Sequence, residues 1–229
     1  MRKIIVGNNI SEKCKKALSD MSFEVVTLPS FDMLDKPVSS HADMLVFCVD
    51  GRIFTHGEYY SRNKELFDSL GVEICVIEER IESKYPKDIL LNAVLTFDGV
   101  LFSKTEFTAK AVKAMAKELV NVKQGYTACS TCRVTEKAFI TTDEGLSAKY
   151  REKGILSLTV TKEGISLLGY DCGFIGGASV VTQDGVCFFG KIEDHPDYEA
   201  IKDFVGLEGK KVISLSNEKL TDIGGAVII

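Results

Sequence analysis

Short apolar runs separated by turn residues dominate the chain. IIVG (4–7), EVVTL (24–28), MLVFCV (44–49), RIFT (52–55), EICVIE (73–78), AVLTF (93–97) and VLFS (100–103) are β-branched or aromatic and predict strands. ACSTCRV (128–134), AFITT (138–142), ILSLTV (155–160), SVVT (179–182), VCFFG (186–190) and KVISLS (211–216) predict strands in the same way. Helical spacing appears at 11–21, 60–70, 105–120, 143–153 and 196–206. Within 105–120, Ala109, Val112, Met115, Ala116 and Leu119 recur at steps of three and four and form one apolar stripe.

These elements repeat. Asp50-Gly51, Asp98-Gly99 and Asp184-Gly185 each separate two strand runs, and Glu136-Lys137 takes the equivalent place in another pair. Asp-Gly between apolar runs signals a hairpin, because the tight turn needs positive φ. The unit is therefore strand, hairpin, strand, helix, strand. Aligning the first strands places an alanine at 42, 93, 128, 178 and 226, at steps of 51, 35, 50 and 48 residues. Counting through the termini from Ala226 to Ala42 gives 45 more. Five units that close by pairing the N- and C-terminal strands predict a ring. The expected architecture is α/β: a five-bladed ββαβ propeller in one domain, 1–229. Its units are 222–229 plus 1–30, 41–80, 92–124, 125–162 and 170–217. The alternative is an ordinary α/β sandwich, in which GGAVII would pair elsewhere than beside RKIIVG.

Composition narrows the function. The 229 residues carry 28 Lys and Arg against 33 Asp and Glu, a net charge of -5. A mildly acidic chain without a basic block is a poor partner for nucleic acid. No apolar run approaches a membrane span, and MRKIIVGNN lacks a secretory apolar core. Seven cysteines without an export signal read as reduced thiols in a cytoplasm. Cys48, Cys75 and Cys187 lie in apolar runs and read as core residues. No cofactor or metal site is expected, since Cys129-Ser-Thr-Cys132 has no second CxxC or CxxH to complete a zinc site.

A ring of five ββαβ units resembles the α/β-propeller of the pentein superfamily, which holds guanidino-group modifying enzymes and a non-catalytic ribosome-associated branch. VKQGYTACSTC, GYDCGFIGGAS and TDIGGAVII also look like an uncharacterised bacterial family assigned to this fold. The resemblance implies a cysteine thiolate attacking a guanidinium carbon, a histidine moving protons, and carboxylates holding the cationic head. It also places the cysteine a few residues after a glycine run. Here that run matches Gly224-Gly225, and no cysteine follows it up to Ile229. No histidine occurs between 57 and 194, where the resemblance expects one in the third unit.

Loops entering the first strands are expected to line one mouth of the ring. They bring together His41, Asp43, Asn92, Thr127, Cys129 and Ser179, with the pairs Gly176-Gly177 and Gly224-Gly225. Glycine there lets a ligand approach the backbone; the competing reading is that only glycine fits a crowded axis. Tyr126 and Tyr170-Asp171 follow Gly in two such loops, and Asp171 and Asp222 precede the glycine pairs. The candidate chemistry is Cys129 and His41. The candidate ligand-binding residues are Asp43, Asn92, Tyr126, Asp171, Gly176, Gly177, Asp222, Gly224 and Gly225. His41-Ala-Asp43 and His195-Pro-Asp197 each set His and Asp on one side of an extended segment. Pro196 suits the first position of a helix, so His195 reads as structural, and His56 reads as a solvated helix-start residue. In a strand Cys129 and Cys132 face opposite sides, so a dithiol needs a bulge. Two functions remain open: an enzyme or binder for a small cationic compound, guanidino or amino-acid-like, and a non-catalytic interaction or assembly module. The expected partner is a small molecule, with neither nucleic acid nor membrane; the oligomeric state is not specified.

Overall fold

The computed structural model describes residues 2–229. In chain order it contains β1 (Arg2–Gly7), α1 (Glu12–Asp20), β2 (Phe23–Leu28), α2 (Ala42–Leu45), β3 (Val46–Val49), β4 (Arg52–His56), α3 (Gly57–Arg62), α4 (Lys64–Asp68) and β5 (Glu73–Ile77). There follow β6 (Val94–Leu95), β7 (Val100–Ser103), α5 (Lys110–Lys113), β8 (Glu118–Asn121), β9 (Thr131–Arg133), β10 (Ala138–Thr141), α6 (Glu144–Glu152) and β11 (Leu156–Thr159). The last elements are β12 (Ser179–Val181), β13 (Val186–Phe188), α7 (Tyr198–Leu207), β14 (Val212–Ser214) and β15 (Ala226–Ile228).

Five three-stranded sheets result, ordered β15-β1-β2, β3-β4-β5, β6-β7-β8, β9-β10-β11 and β12-β13-β14. In each, the first pair is antiparallel and the second parallel, as hairpin-then-helix connections demand. The hairpin after β3 turns on Asp50 (φ 50°) and Gly51 (φ 71°), the backbone that Asp-Gly supplies. β15 lies antiparallel to β1, with Ile4 opposite Ile228 and Val6 opposite Ala226. That pairing closes the ring as expected and excludes the sandwich.

Among the described residues no strand pairing joins one sheet to the next; side chains packed between neighbouring blades, and hydrogen bonds near the axis, hold them together. Phe102 of β7 and Phe139 of β10 both meet Tyr150 of α6 edge-on, at 4.7 and 4.9 Å between ring centres. All three rings are fully buried. Burial on that scale stabilises each ring by about 1.5–3 kcal/mol. Helix starts follow local chemistry: Ser11 Oγ accepts from the Cys14 amide, and Asp143 Oδ1 from the Leu146 amide.

Five local expectations change. Residues 105–120 are not one helix. Only α5 forms, and Glu118–Asn121 becomes β8, parallel to β7. Leu119, the last member of the stripe, is 47% exposed, while the partly buried Val120 packs against the core. The backbone edge of β7 thus outcompetes two further helical turns. The first strands are also shorter than predicted. Met44 and Leu45 belong to α2, and a turn from the Ser130 amide to the Tyr126 carbonyl (3.0 Å) occupies the start of ACSTCRV. His56 is buried rather than solvated, with Nε2 2.9 Å from the Met44 carbonyl. Asp197 is the cap residue before α7, so Pro196 lies outside that helix rather than at its first position. Cys187 is buried, while Cys48 and Cys75 are only partly so.

Candidate functional site

Short connections into β3, β6, β9, β12 and β15 converge where the blades meet. Gly224 adopts φ +80°, and a Cβ there would fall 2.3 Å from the His41 Cβ. A Cβ on Gly177 would fall 1.9 Å from Asp222 Oδ1, and one on Gly176 2.4 Å from the Ala128 carbonyl oxygen. Each glycine is therefore required by crowding at the axis, the competing reading of the glycine pairs. Hydrogen bonds then sew the blades together. The Asp43 amide donates to the Gly224 carbonyl (3.1 Å), and the Gly177 amide to that of Cys129 (2.8 Å). The Gly225 amide donates to the Gly177 carbonyl (2.8 Å). Asn92 is the busiest side chain. Its Oδ1 accepts from the Ala128 amide (2.7 Å), and its Nδ2 reaches the Asp43 carbonyl (3.2 Å) and Cys129 Sγ (3.1 Å).

Five chemically active side chains meet there: His41, Asp43, Asn92, Cys129 and Asp222. The Asp222 carboxylate accepts from the Gly224 amide at Oδ1 and the Phe174 amide at Oδ2, both at 2.9 Å. His41 Nδ1 lies 3.9 Å from Asp222 Oδ1, and neither ring nitrogen of His41 has a hydrogen-bond partner among the described residues. Asp43 Oδ1 also lacks a partner. Burial pulls His41 down from 6.5 to about 4, so its ring is neutral at pH 7. Burial raises Asp222 to about 6 despite the two amides. Burial, and then the charge of Asp222, push Asp43 well above the carboxylate range. Burial, and then the two carboxylates, raise the Cys129 thiol, opposed by the Asn92 amide. Reactive thiols need positive surroundings; here they are negative. The unliganded site therefore holds a protonated thiol and a neutral imidazole. Its two carboxyl groups form no ion pair with any Lys or Arg among the described residues.

The site opens on the side opposite to the one expected. Along the axis runs a cavity of about 910 Å³, with Asp43, Thr131, Gly176 and Gly224 at its inner end and the hairpin residues Asp50 and Glu136 at its outer end. On the loop side, His41, Asn92, Thr127, Cys129 and Asp222 are all buried. Tyr126 lies there between Tyr85 and Phe174, at 5.6 and 6.2 Å between ring centres, and donates to Asp88 Oδ2 (2.7 Å). Asp171 is exposed and stands apart from the cluster. Cys129 sits in the turn before β9 and faces Asn92, while Cys132 lies in β9 and packs into the core between the fourth and fifth blades. The two thiols are free. No group of three or more His, Cys, Asp and Glu among the described residues is arranged to hold a metal ion. No helix among them is long and apolar enough to cross a membrane.

Sequence reasoning missed two polar residues. Arg133 stands inside the predicted strand ACSTCRV, where inward-facing positions of a first strand signal the axis. Asp88, buried under Tyr126, lies in a stretch without periodicity, and nothing in the sequence marks it.

A family described as Family of unknown function (DUF6873) matches residues 5–227. No curated relative matches the sequence. Among solved structures, a DDAH mutant from Pseudomonas aeruginosa complexed with citrulline has a TM-score of 0.58 at 10% identity, covering 100% of this chain and 99% of that one. The C. jejuni agmatine deiminase has a TM-score of 0.56 at 10% identity, covering 96% and 90%. The inosamine-phosphate amidinotransferase of Streptomyces griseus has a TM-score of 0.57 at 11% identity, covering 98% and 91%. The ring is thus the pentein fold. Likeness at this identity speaks for the fold alone.

Proposed function

The chain belongs to the Family of unknown function (DUF6873), and we propose that it binds a small compound with a planar cationic head, guanidino or amidino, at the inner end of the axial channel. One observation carries the reading: Asp43 and Asp222 are two carboxyl groups at the axis with no cationic partner, and Asp43 lines an open cavity. Two carboxyls so placed repel each other and hold a proton that a bound cation displaces. A planar guanidinium offers paired donors to such acceptors. A cation that takes the place of the shared proton leaves the net charge beside Cys129 unchanged, and burial, the larger cause, keeps the thiol protonated.

The resting thiol favours a second reading, in which the fold binds and does not transform. Thermal-shift and calorimetric titration with agmatine, arginine and benzamidine tests the first. Binding should raise the melting temperature by mass action and vanish in Asp43→Asn. It should also release protons at pH 7. Unaltered melting with every compound sinks the cationic site. Binding without product, followed by mass spectrometry, selects the second reading.

A further inference from the structure

A second cavity, of about 470 Å³, lies on the rim of the third blade and shares no lining residue with the axial channel. Leu119 and Asn121, two residues apart on the outermost strand of that sheet, turn the same face toward it, and Val122 adds to an apolar floor. Three lysines from three segments rim it: Lys104 after β7, Lys113 at the end of α5 and Lys123 after β8. Two of them are held in place. Lys104 Nζ donates to the Tyr85 hydroxyl (2.7 Å) and lies 4.6 Å from the centre of that ring; Lys113 Nζ donates to the Thr105 carbonyl (3.0 Å). Asn121 Oδ1 accepts from the Thr105 amide (3.1 Å) and hydroxyl (3.0 Å), which ties the loop after β7 to β8. None of the three lysines forms an ion pair among the described residues. Neighbouring acids are engaged elsewhere, Glu118 with Lys153 and Glu79 with the Lys110 amide. Glu106 is the one carboxyl group in the lining, so the rim carries a surplus of two positive charges in a chain of net charge -5.

We propose that this rim cavity binds an organic phosphate monoester, with the phosphate among Lys104, Lys113 and Lys123 and the carbon body on Leu119 and Val122. A phosphate monoester carries about 1.5–2 negative charges at pH 7 and three acceptor oxygens, which matches the surplus. Separate ammonium groups act as point charges on separate oxygens; a carboxylate is matched best by the guanidinium fork, and no arginine lines this cavity. The site is independent of the axial one and stands whether or not a cation binds there.

Calorimetric titration with 1-naphthyl phosphate at low salt tests it. The ester should bind at least about tenfold tighter than inorganic phosphate, because its rings cover Leu119, and Leu119→Gln should remove that advantage. Lys123→Glu changes an exposed side chain, so the variant should fold, which far-UV circular dichroism checks. It should weaken the ester by at least about tenfold, as loss of a charge-assisted contact implies. Lys210→Gln, in the axial channel, should leave the affinity unchanged. No binding by the wild type, or binding that survives Lys123→Glu, overturns the proposal. Loss of binding in Lys210→Gln instead puts the anion in the axial channel and overturns it too. Equal affinity for 1-naphthoate overturns the phosphate assignment, and equal affinity for inorganic phosphate overturns the part given to Leu119.

Discussion

Replacing His56 by glutamine isolates one buried proton site from all the others. His56 is 2% exposed; Nε2 lies against the Met44 carbonyl, and Nδ1 has no partner. Burial pulls it from 6.5 to about 4, more than the carbonyl contact pushes it up. The unfolded chain therefore takes up a proton near pH 6.5 and the folded chain only near pH 4. Stability from this group is full above the higher value and falls as the pH drops through the window. Between pH 7 and 5 the loss is about 2 kcal/mol. Glutamine keeps a donor for the Met44 carbonyl and cannot be charged. His56→Gln should thus retain about 2 kcal/mol more of its pH 7 stability at pH 5 than the wild type does, measured by urea unfolding. Asp222 has the opposite sign. Its folded value of about 6 exceeds its usual 3.8, so acidification favours the folded state. Asp222→Asn should lose about 1 kcal/mol more than the wild type over the same interval. The wild-type profile is the shallow remainder of histidines working against carboxyls. Parallel curves for wild type and His56→Gln would refute the burial argument.

Other outcomes follow from the same contacts. Gly224→Ala must place a methyl group 2.3 Å from the His41 Cβ at positive φ and should cost at least about 3 kcal/mol. Gly206→Ala, in α7 with nothing within 4 Å, should instead add about 0.5–1 kcal/mol; both are read by urea midpoints. Asn92→Ala strips the Ala128 amide of its acceptor and should cost about 1–3 kcal/mol. Iodoacetamide at neutral pH should label Cys172 well before Cys129, as peptide mass spectrometry would show. Labelling of Cys129 at an equal rate in the unliganded protein would mean that a thiolate is already present.

The ring was legible because its evidence is local and repeated. Asp-Gly turns mark hairpins by backbone need, and the alanines recur at the crowded entrance to each first strand. His41, Asp43, Asn92, Cys129 and Asp222 could be grouped because the repeat brings equivalent positions to one axis. Three things were not legible. Helical spacing over 105–120 cannot register that the free edge of β7 claims Glu118–Asn121. Asp171 lies in the same kind of loop as the true cluster, and only its side chain's outward position separates them. The side on which the axis opens depends on how Tyr85, Tyr126 and Phe174 fill the loop end, and no periodicity reports that.

The union of β15 with β1 also bears on how the ring assembles. The Lys3 amide donates to the Ile229 carbonyl and the Ile229 amide to that of Lys3, at 3.1 and 3.0 Å. The other four sheets each draw on one continuous stretch of chain, whereas this one must capture a strand from the far end. Its loop-closure cost is the largest in the molecule, so it is the contact expected to form last and open first. Ring order is also separable from chain order. A short peptide bridging residues 229 and 2, with new ends cut at Asp50-Gly51, would move the seam to the second blade and leave every strand pairing in place.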